Sequence, residues 1–171
     1  MLFYFKLSLN SERLLFHLSL YPNHDKTDTM SPLRDQLWQT AKTAFERYGE
    51  MTPESVIACR SPECVHRMFP TSASIPERTN KEYSDFVMEL KQMVPNMRLI
   101  IQDDFEPLID ETTRQVIAHL KSAGDTTFGP IEAEYFMALK MNEDGTQIVE
   151  FVEFIDTAYT MDFIKRAGLK V

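Results

Sequence analysis

The sequence predicts an α+β fold in which helices come first and an antiparallel sheet follows. Three observations carry this. Up to Val94 the apolar residues recur at helical spacing, and from Met97 onward they alternate. Short polar turns such as Asn142-Glu143-Asp144-Gly145 then join the strand-like runs. With 171 residues, 43% of them apolar and 26% charged, the chain is long enough for one domain with its own core.

The first 29 residues are unlike the rest. Met1 to Tyr21 is apolar in patches but is broken by Lys6, Asn10, Glu12, Arg13 and His17, and the polar run Asn23 to Thr29 follows. No clear signal-peptide pattern is present, and no apolar stretch approaches the ~20 residues that span a bilayer. Residues 1–29 are expected to be an N-terminal extension outside the fold or a mis-set start, with Met30 as the true beginning. Residues 30–171 then form the domain. The competing reading is an extra strand or helix packed on it.

Ser31-Pro32 is an N-cap followed by proline at the first helical position. Leu33, Leu37, Ala41, Ala44, Phe45 and Tyr48 fall on one helical face, and Gly49 closes the helix. Thr52-Pro53-Glu54 starts a short second helix to about Ala58. From Cys59 to Arg78, Pro62, Pro70 and Pro76 forbid a long helix, so this stretch is irregular or extended. Asn80 caps a third helix, with Tyr83, Phe86, Val87, Leu90 and Val94 as its buried stripe and Pro95 as its end. Strands follow at Met97–Phe105, Arg114–Lys121, Ile131–Met141 and Thr146–Ile155, and Tyr159–Ala167 is a last helix stopped by Gly168. A curved antiparallel sheet must cover its concave face, and the three N-terminal helices are the available cover.

Composition removes several functions. A net charge of −8 and a pI near 5.0, with no Lys/Arg run, argue against a nucleic-acid partner. The absence of G-x-G-x-x-G, Walker A, G-x-S-x-G and H-E-x-x-H patterns leaves nucleotide-dependent, serine-hydrolase and zincin chemistry without support. Cys59, Cys64 and His66 are the only nearby metal-ligand candidates, one short of the usual zinc set, so no metal is expected. Idle thiols in a reducing cytosol, and a cytoplasmic protein without membrane contact, are the simpler expectation.

Several short runs resemble one family. Thr126-Thr127-Phe128-Gly129-Pro130-Ile131-Glu132-Ala133-Glu134-Tyr135 resembles its "T-x-x-G-x-(Y/F)-x-x-E-Y" strand. Asp144-Gly145, Ile148 and Glu153-Phe154-Ile155-Asp156 resemble its final strand, "D-G-x-x-I-x-x-x-x-E-F-x-D". Arg60-Ser61-Pro62-Glu63-Cys64-Val65-His66 resembles its "R-x-P-x-C-x-H" stretch, and Asn80-Lys81-Glu82-Tyr83 the start of its third helix. The family is the SnoaL-like, nuclear-transport-factor-like superfamily, and within it the small isomerases and cyclases of fungal meroterpenoid gene clusters. The resemblance covers about Pro32 to Met161. It implies a cone-shaped cavity and ring remodelling by acid/base chemistry without a redox cofactor.

Six residues are candidates for the site. Arg60 and His66 would supply a fixed cation and a group titrating near neutrality; otherwise Arg60 pairs with an acidic neighbour and His66 caps a turn. Glu153 shares a strand face with Val149, Phe151 and Ile155, and a carboxylate in such a row suits a general acid or base. Asp156 falls on the opposite side and is either a proton-abstracting carboxylate, as the resemblance suggests, or the N-cap of the last helix. Glu134 and Tyr135 are candidate substrate contacts. Alternation puts Tyr135 with Ala133, Met137 and Leu139 and Glu134 on the other face, so only one of the two points inward in a regular strand. His119, mid-strand beside Ile117, is expected to be structural or exposed. The ten methionines suit a pliable apolar lining or an ordinary core.

The expected function is a cofactor-free isomerase or cyclase acting on a hydrophobic polyketide- or meroterpenoid-type molecule. Its alternatives are a non-catalytic ligand-binding or dimerisation module of the same shape and, behind it, an association module for larger proteins. The last two strands are apolar on both faces, so a homodimer is expected.

Overall fold

A computed structural model describes residues 31–168. The expected N-terminal extension lies outside the described residues. Helix α1, Pro32–Tyr48, begins as expected, with the Ser31 hydroxyl accepting from the Arg34 amide. Gly49 after it is right-handed, and the chain turns at Met51, whose φ is 51°. The expected short helix does not form: residues 53–59 are turns between Met51 and Cys59, both in the left-handed region. The Thr52 and Ser55 hydroxyls each take the other's amide, a local bonding pattern that competes with helix propagation.

The proline-rich stretch is extended and enters the sheet. Strand β1 spans Arg60–Phe69; a 3-10 turn at Thr71–Ala73 leads to β2, Arg78–Thr79. The register of β1 shifts between Arg60 and Val65, around Pro62, which cannot donate to a ladder. Helix α2, Asn80–Lys91, is capped by Thr79 and not by Asn80, because Glu82 stands three residues after Thr79 and completes a capping box; Asn80 instead donates to the Ser61 carbonyl.

The strands β3 (Arg98–Ile101), β4 (Leu108–Asp110), β5 (Gln115–Thr126), β6 (Gly129–Ile131), β7 (Glu134–Met141) and β8 (Ile148–Ile155) follow, then α3, Thr157–Ala167. The path through the sheet is β2-β1-β8-β7-β5-β3, with β4 and β6 also paired to β5. Two expectations are corrected. The sheet is mixed, because β1 runs parallel to β8, and the third helix is C-terminal, not N-terminal. The β1–β8 pairing joins segments over eighty residues apart, and no turn residue announces a contact of that range.

The sheet curls where strands break register. The predicted strand at Ile131–Met141 is interrupted at Glu132-Ala133, where the Ser122 hydroxyl accepts from the Ala133 amide. At Gly124 in β5 a Cβ would sit 2.7 Å from Val94 Cγ1 and 3.2 Å from the Met97 backbone, so only glycine lets the α2–β3 connection lie this close. The concave face meets two packed clusters. One joins Leu37, Ala41 and Phe45 of α1 to β5, β7 and β8; the other joins Tyr83, Val87 and Leu90 of α2 to Phe163 of α3. A cavity lies between the two.

Candidate active site

Strand β8 supplies the central residue. Ile148, Phe151, Glu153 and Ile155 are buried on the concave face and Phe154 is exposed on the other, while Val149 is only half-buried because the β7–β8 register shifts nearby. Glu153 is 6% exposed and is the only charged side chain lining the cavity among the described residues. The space between atoms, from floor to mouth, is about 680 Å³ including solvent at the opening. Its walls are apolar side chains from the sheet, α2 and α3, with a few hydroxyls.

Three groups surround the Glu153 carboxylate. The Tyr83 hydroxyl donates to Oε1 at 3.4 Å, and His66 Nε2 lies 3.1 Å from the same oxygen. That approach is off the axis of a ring N–H, and neither His66 nitrogen has a well-aligned hydrogen-bond partner among the described residues. His66 is 1% exposed and stacked between Tyr83 and Phe151, with ring centroids 3.9 and 4.9 Å away. Burial pulls its pKa down to about 4; Glu153 opposes the shift, and Arg60 and Arg78 add to it. The imidazole is therefore neutral at neutral pH.

Arg60 shares the same aromatic slot. Its guanidinium carbon lies 4.4 Å from the centres of both the Tyr83 and Phe151 rings, and its buried Nη1 has no hydrogen-bond partner among the described residues. Neither Arg60 nor His66 lines the cavity; both stand behind Glu153 and Tyr83. Tyr135 does line it, with its hydroxyl 3.4 Å from Ser122 Oγ. Tyr48 completes the lining on this side. Burial first and the Glu153 charge next push the Tyr48 and Tyr135 phenols well up, and burial likewise raises Tyr83, so all three remain hydrogen-bond donors.

Arg60, His66, Glu153 and Tyr135 thus come to one region, and two candidates do not. Glu134 is exposed on the convex face, 2.6 Å from His119 Nε2 and 3.7 Å from Lys121 Nζ. Asp156 is exposed and caps α3, accepting from the Tyr159 amide at 3.1 Å. Tyr48, Tyr83 and Thr160 also line the cavity, although their sequence spacing shows only helical faces. Cys59, Cys64 and His66 form no metal-binding group among the described residues, and burial raises both thiols.

No family model matches the chain. Individual proteins do. The chain is 40% identical over 131 residues to austinoid biosynthesis clusters protein H of Penicillium brasilianum, covering 75% of this chain and 88% of that protein. Its structure is similar to that of the BvnE pinacolase from Penicillium brevicompactum, with TM-score 0.76, 31% identity, and 80% and 96% of the two chains covered. A SnoaL-like polyketide cyclase from Jannaschia shares the fold at TM-score 0.60 and 12% identity, over 77% of this chain and 93% of that one. The chain has the SnoaL-like fold and belongs to the family of the austinoid biosynthesis clusters protein H.

Proposed function

We propose that the protein is a cofactor-free isomerase or cyclase that relocates a proton on a hydrophobic meroterpenoid-type ring system. The observation that carries this reading is one buried carboxylate, Glu153, set in an apolar cavity among phenol hydroxyls. Glu153 accepts a proton from a carbon next to a carbonyl. The C–H electron pair becomes a C=C bond and the carbonyl pair moves to oxygen. Tyr135 and Tyr48 line the cavity, and their hydroxyls donate to that oxygen as charge develops, the Tyr135 hydroxyl exchanging its long bond to Ser122 for this one. Return of the proton to a different carbon completes an isomerisation, and attack of the enol on an electrophilic carbon completes a ring closure. His66 and Arg60 act behind the carboxylate, holding Glu153 and Tyr83 in place. Glu134 and Asp156 have no part in the proton transfer.

A homodimer through the convex face of the sheet belongs to the same reading. Its support is the exposure of Phe136 and Phe154 on that face.

The test compares metabolite profiles of a strain lacking the gene with strains restored by the native protein or by Glu153→Gln. Restoration by the native protein alone, with an isomeric or unclosed precursor accumulating in the Glu153→Gln strain, is expected. The loss in turnover should be about 10²- to 10⁴-fold. Full restoration by Glu153→Gln overturns the proton-transfer mechanism. A deletion that itself leaves the profile unchanged favours the non-catalytic ligand-binding alternative.

A further inference from the structure

Two residues that line the cavity have open space on both sides. Met68 of β1 and Ile75 of the β1–β2 connection also line a second hollow, about 790 Å³ including open solvent. Its other walls are Arg67, Phe69, Thr71, Glu77 and Glu150. The strand pairing explains why the wall is thin here. β2 pairs with β1 only at Val65 and His66, so among the described residues Arg67–Phe69 have no strand on their outer edge. The chain returns from Phe69 to Arg78 through a segment tied down at two points. Ala73 is buried in the core, and Arg67 donates to Glu77 at 2.8 Å while also pairing with Glu150. Ile75 lies between those ties and is half-buried, as is Met68. Met68 stands directly beside Glu153 in the parallel β1–β8 register. An unbranched, adaptable side chain suits a gap of this kind.

We propose that Met68 and Ile75 are specificity-determining residues, a partition one side chain thick that stops the ligand beside Glu153. The inference rests on the reading that this cavity holds the substrate. Truncating a wall residue backed by packed protein enlarges a cavity by that side chain alone. Truncating Met68 or Ile75 instead joins the cavity to the outer hollow, where Phe69 gives an apolar side to an incoming group. The substrate is therefore a ring system with no bulky substituent at the carbon it presents to Glu153. A ligand that carries one there collides with the partition in the native protein and is rejected.

The test compares a trans-decalone with its α-benzyl derivative, measured by equilibrium dialysis on the native protein, Met68→Ala, Ile75→Ala and Leu99→Ala. Leu99 is also half-buried and lines the cavity, but it does not line the outer hollow. The native protein should bind the parent ketone at least about 10-fold more tightly than the α-benzyl ketone. Met68→Ala and Ile75→Ala should each bring the α-benzyl ketone to within a few-fold of the parent, while Leu99→Ala keeps the native preference. With two independent truncations, loss of folding in one leaves the other to decide. The inference is overturned if the native protein binds both ketones alike, or if neither truncation relaxes the preference. It is equally overturned if Leu99→Ala relaxes it as much, or if neither ketone binds the native protein. Only binding is read, so the outcome is separable from the role of Glu153. Turnover by Glu153→Gln would remove the proton transfer and leave the partition, and an unrelaxed preference would do the reverse.

Discussion

His66 shows how a single side chain can support a site without facing it. It is sandwiched between Tyr83 and Phe151, beside the Arg60 guanidinium, and a charge on it would be costly in that slot. In the folded protein its pKa is lowered to about 4, from about 6.5 for a free imidazole. The unfolded chain therefore binds the extra proton first as pH falls. The stability from keeping His66 neutral is complete above pH 6.5, erodes below it and is gone below about 4. The cost at the acid end is about 3 kcal/mol. His66→Gln, which does not titrate, should show a flatter fall of the urea midpoint between pH 7 and 4 than the native protein. Parallel curves would mean that the imidazole is not held neutral. At this scale, Glu153 was legible because a carboxylate interrupts an apolar row. Tyr48, Tyr83 and Thr160 were not, because a polar tip on a stripe residue reads as core until the neighbouring helix is in place. Alternation did separate Tyr135 from Glu134, but only the curl of the sheet shows which face is concave.

Helix α3 decides between two meanings of one residue. Asp156 ends β8 and starts α3, so its carboxylate can be a cap or a base from sequence alone; in the structure it accepts from the Tyr159 amide. Asparagine caps as well as aspartate but cannot serve as a proton acceptor at neutral pH. Asp156→Asn should therefore keep both melting temperature and turnover, while Asp156→Ala should lose about 1 kcal/mol of stability. Loss of turnover in Asp156→Asn with an unchanged melting temperature would return Asp156 to the mechanism. Elements with local signals were legible: α1 from Ser31-Pro32, α3 from its cap and Gly168, and β7–β8 from the turn at 142–145. What local signals could not supply was β1. Its prolines forbid helix, but its place between β2 and β8 depends on partners far along the chain. For the same reason α3 was recognised as a helix yet not as a wall of the cavity, and the cover was assigned to the N-terminal helices alone.

At the scale of the whole molecule, one face of the sheet is left uncovered among the described residues. On the convex side, Phe69 of β1 lies opposite Phe154 of β8, which lies opposite Phe136 of β7, which lies opposite His119 of β5. The row is apolar along three strands, with Phe105 edge-on to Phe136 at 5.2 Å and His119 stacked on it at 5.0 Å. Phe154 is 55% exposed and Phe136 43%, large values for phenylalanine on regular strands. Glu134, Asp104 and Lys121 edge the row with charge, the arrangement of an apolar centre within a polar rim. A second copy turned by a two-fold axis would meet the row with the same row, and a stable interface needs about 800 Å² from each partner. Phe154→Glu would place like charges near one another across such an axis and should weaken the dimer by at least about 30-fold. The cavity opens on the other face of the sheet, so the dissociated variant should retain ligand binding. Sedimentation equilibrium decides: the native protein is expected as a dimer and Phe154→Glu as a monomer at the same concentration. A native monomer, or a variant that stays dimeric, would show that the aromatic row is not the interface.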